Sequence, residues 1–127
     1  MQRNWRVFSD PDGDLVPINF SELPFVPKRV FYENNVPAGQ ERGCHAHYKC
    51  QQILICLQGQ ILVKTHDGEL LTEKTLNPND CAFIDSMIWD SQVFVTGKEI
   101  LLSLCSTEYD KSDYIEDFDK FLDIKRD

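Results

Sequence analysis

Short apolar runs separated by turn residues divide most of this chain, from Trp5 to Cys105. The clearest turns are the Asp/Pro/Gly cluster at 10–14, the Asp67-Gly68 pair and the segment 76–80, and all of them hold residues typical of hairpin connections. Strands are predicted at residues 29–32, 44–50, 52–57, 81–84, 88–95 and 100–105. Because this region has no long helical period, the pattern predicts an all-β sandwich or barrel. The spacing of residues 109–122 instead predicts a short helix or an irregular tail at the C-terminal end.

Composition limits the class of protein and its ligands. The 127 residues, 42% of them hydrophobic, are expected to form a single domain over residues 1–127 with a modest core. The net charge of −8 argues against binding nucleic acid or an anionic membrane by bulk attraction. An anionic small molecule remains possible if a few Arg and Lys side chains converge. Five cysteines without a C-x-x-C pair, after a start that lacks an apolar signal core, predict reduced thiols and a cytoplasmic protein.

Two of the three histidines, His45 and His47, are separated by one residue in the stretch Gly39–Gly59. Side chains two apart in an extended strand point to the same face, so the two imidazoles are expected to lie together. Such a pair indicates a metal site or an acid/base site. The pair by itself does not decide between these two.

The spacing around the pair follows a longer pattern, G-x5-H-x-H-x4-Q-x6-G, that ends at Gly59. It resembles the first motif of the cupin superfamily, in which a glutamate stands at the position of Gln52. Residues 78–90 resemble the second cupin motif, which usually ends in a histidine where this chain has Asp90. The resemblance implies a cupin fold, that is, a double-stranded β-helix or jelly-roll barrel that binds its ligand in the barrel mouth.

The two departures from the cupin pattern bear on metal binding. Gln52 is a weak neutral ligand, although His45, His47 and Asp90 together could form a facial triad for Fe(II) or Mn(II). A metal-dependent cupin enzyme therefore remains one alternative. The loss of the usual glutamate and third histidine favours a metal-free site, in which the imidazoles act as acid and base. We therefore predict neither a metal nor a cofactor.

A narrower resemblance rests on four segments: Arg29–Tyr32, the string E-R-G-C-H-A-H at 41–47, the pattern Q-x-L-I-C at 52–56, and the run 109–122. They resemble the sugar 3,4-ketoisomerases that act on dTDP-4-keto-6-deoxyglucose. The resemblance implies an isomerase that makes a dTDP-3-keto-6-deoxyhexose for a deoxyamino sugar of a bacterial surface polysaccharide, such as a lipopolysaccharide O-antigen or an S-layer glycan. It also implies a homodimer. A non-catalytic cupin that binds a sugar nucleotide is the alternative from another class.

Moving a ketone from C4 to C3 requires a base for the C3 proton, stabilisation of an enediolate and protonation at C4. By resemblance, His47 is predicted to be the base and His45 to relay protons between the sugar oxygens. Arg42 is predicted to stabilise the enediolate or contact the diphosphate. Tyr32 is predicted to donate a hydrogen bond to a sugar oxygen.

Three more residues complete the predicted substrate site: Gln52, Trp89 and Asp90. Trp89 either lines the barrel mouth or fills it. Asp90 could orient a histidine, act as an acid or be a solvated charge, and the sequence leaves these roles open.

Overall fold

The computed structural model describes residues 5–127. Its strands, in chain order, are β1 Phe8–Asp10, β2 Gly13–Leu15, β3 Arg29–Glu33, β4 Gln40–His47, β5 Gln52–Gln58, β6 Ile61–His66, β7 Leu71–Leu76, β8 Cys81–Ile84, β9 Trp89–Phe94, β10 Ile100–Cys105 and β11 Tyr114–Ile115. One α-helix, α1 at Phe118–Arg126, follows them near the C-terminal end of the described residues. The predicted strands and C-terminal helix are thus confirmed in kind.

Two antiparallel sheets make up the body of the fold. The four-stranded sheet has the order β3-β10-β5-β8, and the five-stranded sheet has the order β11-β4-β9-β6-β7. A separate hairpin pairs β1 with β2 across the predicted Asp/Pro/Gly turn. The two sheets do not close into a continuous hydrogen-bonded barrel, so the architecture is an open sandwich. This confirms the predicted all-β class.

The core lies between the two sheets because alternate side chains of each strand point inward. In β5, Leu54 and Cys56 face the other sheet, while Ile53 and Ile55 face outward. The buried inner residues are Val36, Leu54, Cys56, Ile61, Val63, Leu76, Ala82, Ile84, Phe94 and Leu101. Full burial of a Leu, Ile or Phe side chain contributes about 1.5–3 kcal/mol, so this cluster stabilises the sandwich. The polar side chains of the inner faces lie at the opposite end of the sandwich.

Each sheet also has a covered outer face. Trp5 and Leu104 pack with Ile53 and Ile55 on the outside of the four-stranded sheet. On the five-stranded sheet, helix α1 buries Phe121 against Ala46 and Ile115. Within residues 5–127, no helix is long and apolar enough to cross a membrane.

Strand β4 differs from its predicted bounds, because it begins at Gln40 and ends at His47. A bulge interrupts its pairing with β9 between Gly43 and His45. Cys44 is the extra residue, and both Gly43 and Cys44 have positive φ angles, of 84° and 59°. A Cβ at position 43 would lie only 2.9 Å from the Gln92 side chain, so glycine allows this close approach.

Candidate active site

A cavity of about 440 Å³ opens at the polar end of the sandwich. Its size lies within the usual range of small-ligand pockets. Both sheets contribute to its wall, which is formed by Phe31, Tyr32, Glu33, Arg42, Gly43, His45, Gln52, Leu54, Asp90, Gln92, Ser103 and Tyr114. Five of the residues predicted as site residues are therefore together: Tyr32, Arg42, His45, Gln52 and Asp90.

Tyr32 lies at the edge of this cavity. Its side chain is 66% exposed. Because alternation along β3 turns it away from Phe31 and Glu33, its phenol does not share their inner face. Its predicted hydrogen bond to a sugar oxygen therefore has little geometric support.

Trp89 lies on the opposite face of the five-stranded sheet. It precedes Asp90 in β9, and alternation sends the two side chains to opposite faces. The indole packs against helix α1, with ring centroids 5.2 Å from Phe118 and 5.8 Å from Phe121. The predicted substrate contact at Trp89 has no support from this position, where the side chain fills a helix–sheet contact instead.

His45 is the histidine on the cavity wall. Its ring hydrogen-bonds to the backbone of Gly43, and its Nε2 atom is buried without a hydrogen-bond partner among the described residues. Burial, followed by the proximity of His47, lowers the pKa of His45 to about 4. At neutral pH the ring is therefore uncharged. A neutral ring that donates from Nδ1 keeps a lone pair on Nε2.

His47 lies behind His45 and is only 3% exposed. The two imidazoles meet edge to face, with centroids 4.9 Å apart. His47 Nδ1 is 3.4 Å from Asp113 Oδ2. Burial lowers the pKa of His47, although Cys50 and Asp113 act in the opposite direction.

Asp113 is held in place by the backbone on either side of the β4–β5 connection. Its Oδ1 accepts a hydrogen bond from Lys49 N at 2.9 Å, and its Oδ2 accepts one from Cys50 N at 3.1 Å. Its own carbonyl accepts a bond from Tyr48 N at 3.0 Å. A carboxylate fixed in this way can orient the imidazole beside it.

Tyr114 connects the two histidines. It is paired with His47 in the β11–β4 ladder. Its ring lies 4.3 Å from that of His47 and 5.1 Å from that of His45, centroid to centroid. The sequence analysis did not select Tyr114 or Asp113 as site residues, and the only sequence signal for them was the family-like run 109–122.

Gln52 occupies the position at which the cupin pattern has a glutamate. It is 3% exposed, and its Nε2 donates to Cys105 Sγ at 3.4 Å. Across residues 5–127, no three His, Cys, Asp or Glu side chains converge in the way that metal ligands do.

Arg42 and Glu33 form an ion pair at the cavity wall, between β4 and β3. The Arg42 side chain is 54% exposed, whereas that of Glu33 is 18% exposed. The guanidinium is therefore accessible to an anionic ligand, while Glu33 partly neutralises it.

Asp90 is the cross-strand partner of His45 and is fully buried. Its Oδ2 accepts a hydrogen bond from Gln92 Nε2, and its Oδ1 has no partner among the described residues. Burial raises the pKa of Asp90 to about 7, with Gln92 opposing the rise and Glu33 adding to it.

Comparison with known families agrees with this geometry. Residues 3–126 match the family model FdtA, described as WxcM-like, C-terminal. A TDP-4-oxo-6-deoxy-alpha-D-glucose-3,4-oxoisomerase from Aneurinibacillus thermoaerophilus is 33% identical over 120 residues, which are 93% of this chain and 86% of the relative.

Solved structures of 3,4-ketoisomerases superpose closely. The enzyme from Helicobacter canadensis gives a TM-score of 0.95 at 32% identity, with 100% of this chain and 97% of the other covered. A histidine-to-asparagine variant of QdtA from Thermoanaerobacterium thermosaccharolyticum, in complex with TDP-4-keto-6-deoxyglucose, gives a TM-score of 0.94 at 30% identity, covering 99% and 93% of the two chains.

Proposed function

Because the chain belongs to the FdtA family and is a sugar nucleotide 3,4-ketoisomerase of cupin-like fold, we propose that it moves the ketone of dTDP-4-keto-6-deoxy-D-glucose from C4 to C3 by histidine acid/base catalysis. The observation that carries the catalytic part is His45 on the cavity wall with its Nε2 unpaired. The product is a dTDP-3-keto-6-deoxyhexose.

His45 is the base in this proposal, in place of His47, which was predicted to be the base from the sequence. A base must reach the C3 proton, and His45 lines the cavity whereas His47 lies behind it. The neutral imidazole takes the proton from C3, and the resulting imidazolium returns it at C4. Its low pKa of about 4 keeps the ring free to accept a proton at neutral pH.

His47 is then a positioning residue. Its ring packs edge to face on His45 and is oriented by Asp113 on its far side. Tyr114 lies against both rings and restricts their rotation. This assembly fixes the orientation of the His45 ring at the cavity wall, and a fixed orientation of the base favours proton transfer.

Arg42 and Gln52 are the proposed substrate-binding side chains on the two walls. The exposed Arg42 guanidinium suits the diphosphate or the enediolate oxygen. Gln52 is the first residue of β5 and lines the cavity, so its side-chain amide is proposed to hydrogen-bond to the sugar.

The test compares His45→Asn with His47→Asn. Isomerisation of TDP-4-keto-6-deoxyglucose and exchange of its C3 proton in deuterated water are both followed by NMR. Because loss of a positioned general base costs on the order of 10² to 10⁴ in rate, His45→Asn should lose at least about a hundredfold in both. His47→Asn should lose less, roughly tenfold, because it removes orientation rather than the base.

His66→Asn is the matched control, since His66 lies at the end of β6 and its Nδ1 accepts a hydrogen bond from Gly68 N at 3.0 Å. It should keep the wild-type rate. If His45→Asn exchanges the C3 proton at the wild-type rate, His45 is not the base. If the wild-type protein binds TDP but exchanges no proton, it is a binding protein and not an isomerase. Activity lost to a chelator and restored by a metal would contradict the metal-free mechanism.

Assembly and pathway belong to the same proposal. We expect a homodimer, because apolar side chains are exposed near and on the outer side of β3, among them Val26 at 71%, Val30 at 59% and Tyr32 at 66%. Sedimentation equilibrium measures this directly, and a monomer at micromolar concentration would contradict it. The 3-keto product is a substrate for amination, which is consistent with a role in making a deoxyamino sugar for a surface polysaccharide.

A further inference from the structure

The carboxyl group of Asp90 lies next to His45, the proposed base. It is directly paired with His45 across β4 and β9, and Thr65 of β6 is its partner on the other side. It contributes to the wall of the same cavity, at a depth where its exposed fraction is 0%. The chain therefore has a buried carboxyl beside a half-buried imidazole at the point where the sugar is proposed to react.

The two oxygens of Asp90 are not equivalent. Oδ2 accepts from Gln92 Nε2, while Oδ1 is buried and has no hydrogen-bond partner among residues 5–127. A buried ionised carboxylate with a single donor is costly, and protonation removes that cost. Because Oδ2 acts as the acceptor, the proton of the neutral acid would lie on Oδ1, which has no acceptor among residues 5–127.

The charges around Asp90 favour the neutral acid as well. The other ionisable side chains on the cavity wall are Tyr32, Glu33, Arg42, His45 and Tyr114, and Cys44 also interacts with Asp90. Arg42 is already paired with Glu33, whose negative charge opposes ionisation of Asp90. His45 is uncharged at neutral pH. No unpaired cation among these groups stabilises an Asp90 carboxylate.

We propose that Asp90 is a catalytic acid, which donates its Oδ1 proton to the ketone oxygen of the bound sugar while His45 removes the C3 proton. This inference rests on the proposed function. A neutral buried carboxyl is a strong donor to a developing oxyanion, since no water competes for its proton.

The two residues complete the reaction without a further reactant. In the first half, the C3–H bond breaks and its proton goes to His45, C3 and C4 become doubly bonded, and the C4 oxygen takes the Asp90 proton. This gives a neutral enediol beside an imidazolium and a carboxylate. In the second half, the carboxylate takes the O3 proton, the C3 ketone forms, and the double-bond electrons take the His45 proton at C4. Both groups return to their starting state.

Asp90→Asn is the direct test, because it keeps the shape and the hydrogen bond to Gln92 but has no transferable proton. We expect kcat to fall by at least about a hundredfold while TDP affinity stays within a few-fold. In the wild type the rate should fall as the pH rises through about 7, since the acid is lost there, and this limb should be absent in Asp90→Asn. Asp85→Asn, at an exposed carboxylate that accepts from Gln51 Nε2, is the control and should keep the wild-type rate.

An infrared difference spectrum between acidic and alkaline pH detects the proton without requiring activity. The wild type should show a carboxylic acid band that titrates near pH 7 and that Asp90→Asn lacks. Should Asp90→Asn fail to fold, Gln92→Leu serves instead. It removes the donor that opposes the rise in the Asp90 pKa, so the band and the alkaline limb should both move to higher pH.

The outcomes separate this inference from the proposed function. If the wild type isomerises the keto sugar and Asp90→Asn keeps its rate, Asp90 is not the acid and the histidine mechanism stands. The inference is also overturned if the carboxylic acid band titrates at the same pH in Gln92→Leu as in the wild type, or if the wild type has no titrating band. If the wild type isomerises nothing, the proposed function fails and the catalytic role of Asp90 fails with it.

Discussion

Two buried carboxyl groups, in different regions of the molecule, have opposite environments. Glu99 is 1% exposed, between β9 and β10, and accepts from Gln60 N at 2.8 Å, Gly97 N at 2.9 Å and the Thr96 hydroxyl at 2.6 Å. Asp90 is 0% exposed at the cavity and accepts from one side-chain amide. Burial raises the pKa in both cases. In Glu99 the hydrogen bonds outweigh burial and lower the pKa to about 2, whereas in Asp90 burial dominates and raises it to about 7.

The difference shows that hydrogen-bond donors, more than depth, decide the charge state of a buried carboxyl. Backbone donors at a turn make Glu99 a fixed anion. The position of the Glu99 side chain also requires glycine at position 59, because a Cβ there would overlap the Glu99 carboxylate. Asp90 has only one side-chain donor, so burial dominates and raises its pKa to about 7. The first arrangement stabilises the fold, whereas the second reduces stability near neutral pH.

The largest expected loss of stability is at Glu99. Glu99→Gln replaces one acceptor oxygen by a donor that faces backbone N–H groups, so buried donors lose their partner. We expect a loss on the order of 3 kcal/mol in the free energy of unfolding, measured by urea denaturation at neutral pH. Exposed Glu69→Gln should change little. A loss below about 1 kcal/mol would show that the donors do not determine the state of Glu99.

Asp90→Asn should change stability in the opposite direction. The folded pKa of Asp90, about 7, lies above the value of an unfolded aspartate. The unfolded state therefore ionises first as the pH rises, and the wild type loses stability up to about pH 7. The variant should be more stable by roughly 4 kcal/mol at about pH 8 and nearly equal to the wild type at about pH 4. A difference that does not depend on pH would contradict this.

Asp113 is a third buried carboxyl, and the number of its hydrogen-bond donors lies between those of Asp90 and Glu99. It accepts from two backbone N–H groups and lies beside the His47 ring. Asp113→Asn should lower kcat roughly tenfold through misorientation of His47, with TDP affinity nearly unchanged. The ¹⁵N chemical shifts of His47 should report the changed ring environment, which a purely structural role would not alter. Asp110→Asn, at an exposed residue that accepts from Ser112 N, should match the wild type in both measurements.

The smallest effect is expected at Cys44, which adjoins His45 but carries no buried polar group. It is the exposed bulge residue of β4 and does not line the cavity. Cys44→Ser should keep at least about a tenth of the activity. A collapse in kcat with an unchanged circular dichroism spectrum would instead give Cys44 a role in the chemistry.

The fold was predictable because its signals are local. The continuous apolar run at 53–57 marks a buried strand, and the Asp/Pro/Gly turn at 10–14 marks a hairpin. The β4 bulge was not predictable from the same rules, because Gly43 and Cys44 leave the extended conformation to accommodate Gln92 of another strand.

The sequence by itself determined that His45 and His47 share a face and that the usual metal ligands are replaced at Gln52 and Asp90, since strand period and residue identity are local properties. Only the tertiary structure decided which histidine meets the cavity, because His45 pairs with Asp90 of β9 whereas His47 pairs with Tyr114 of β11. It also brought Asp113 and Tyr114 from a segment more than sixty positions later onto His47, and turned Trp89 toward helix α1. Pairing between strands that are distant in the sequence sets these contacts, and the residue pattern within a single strand does not show which strands will pair.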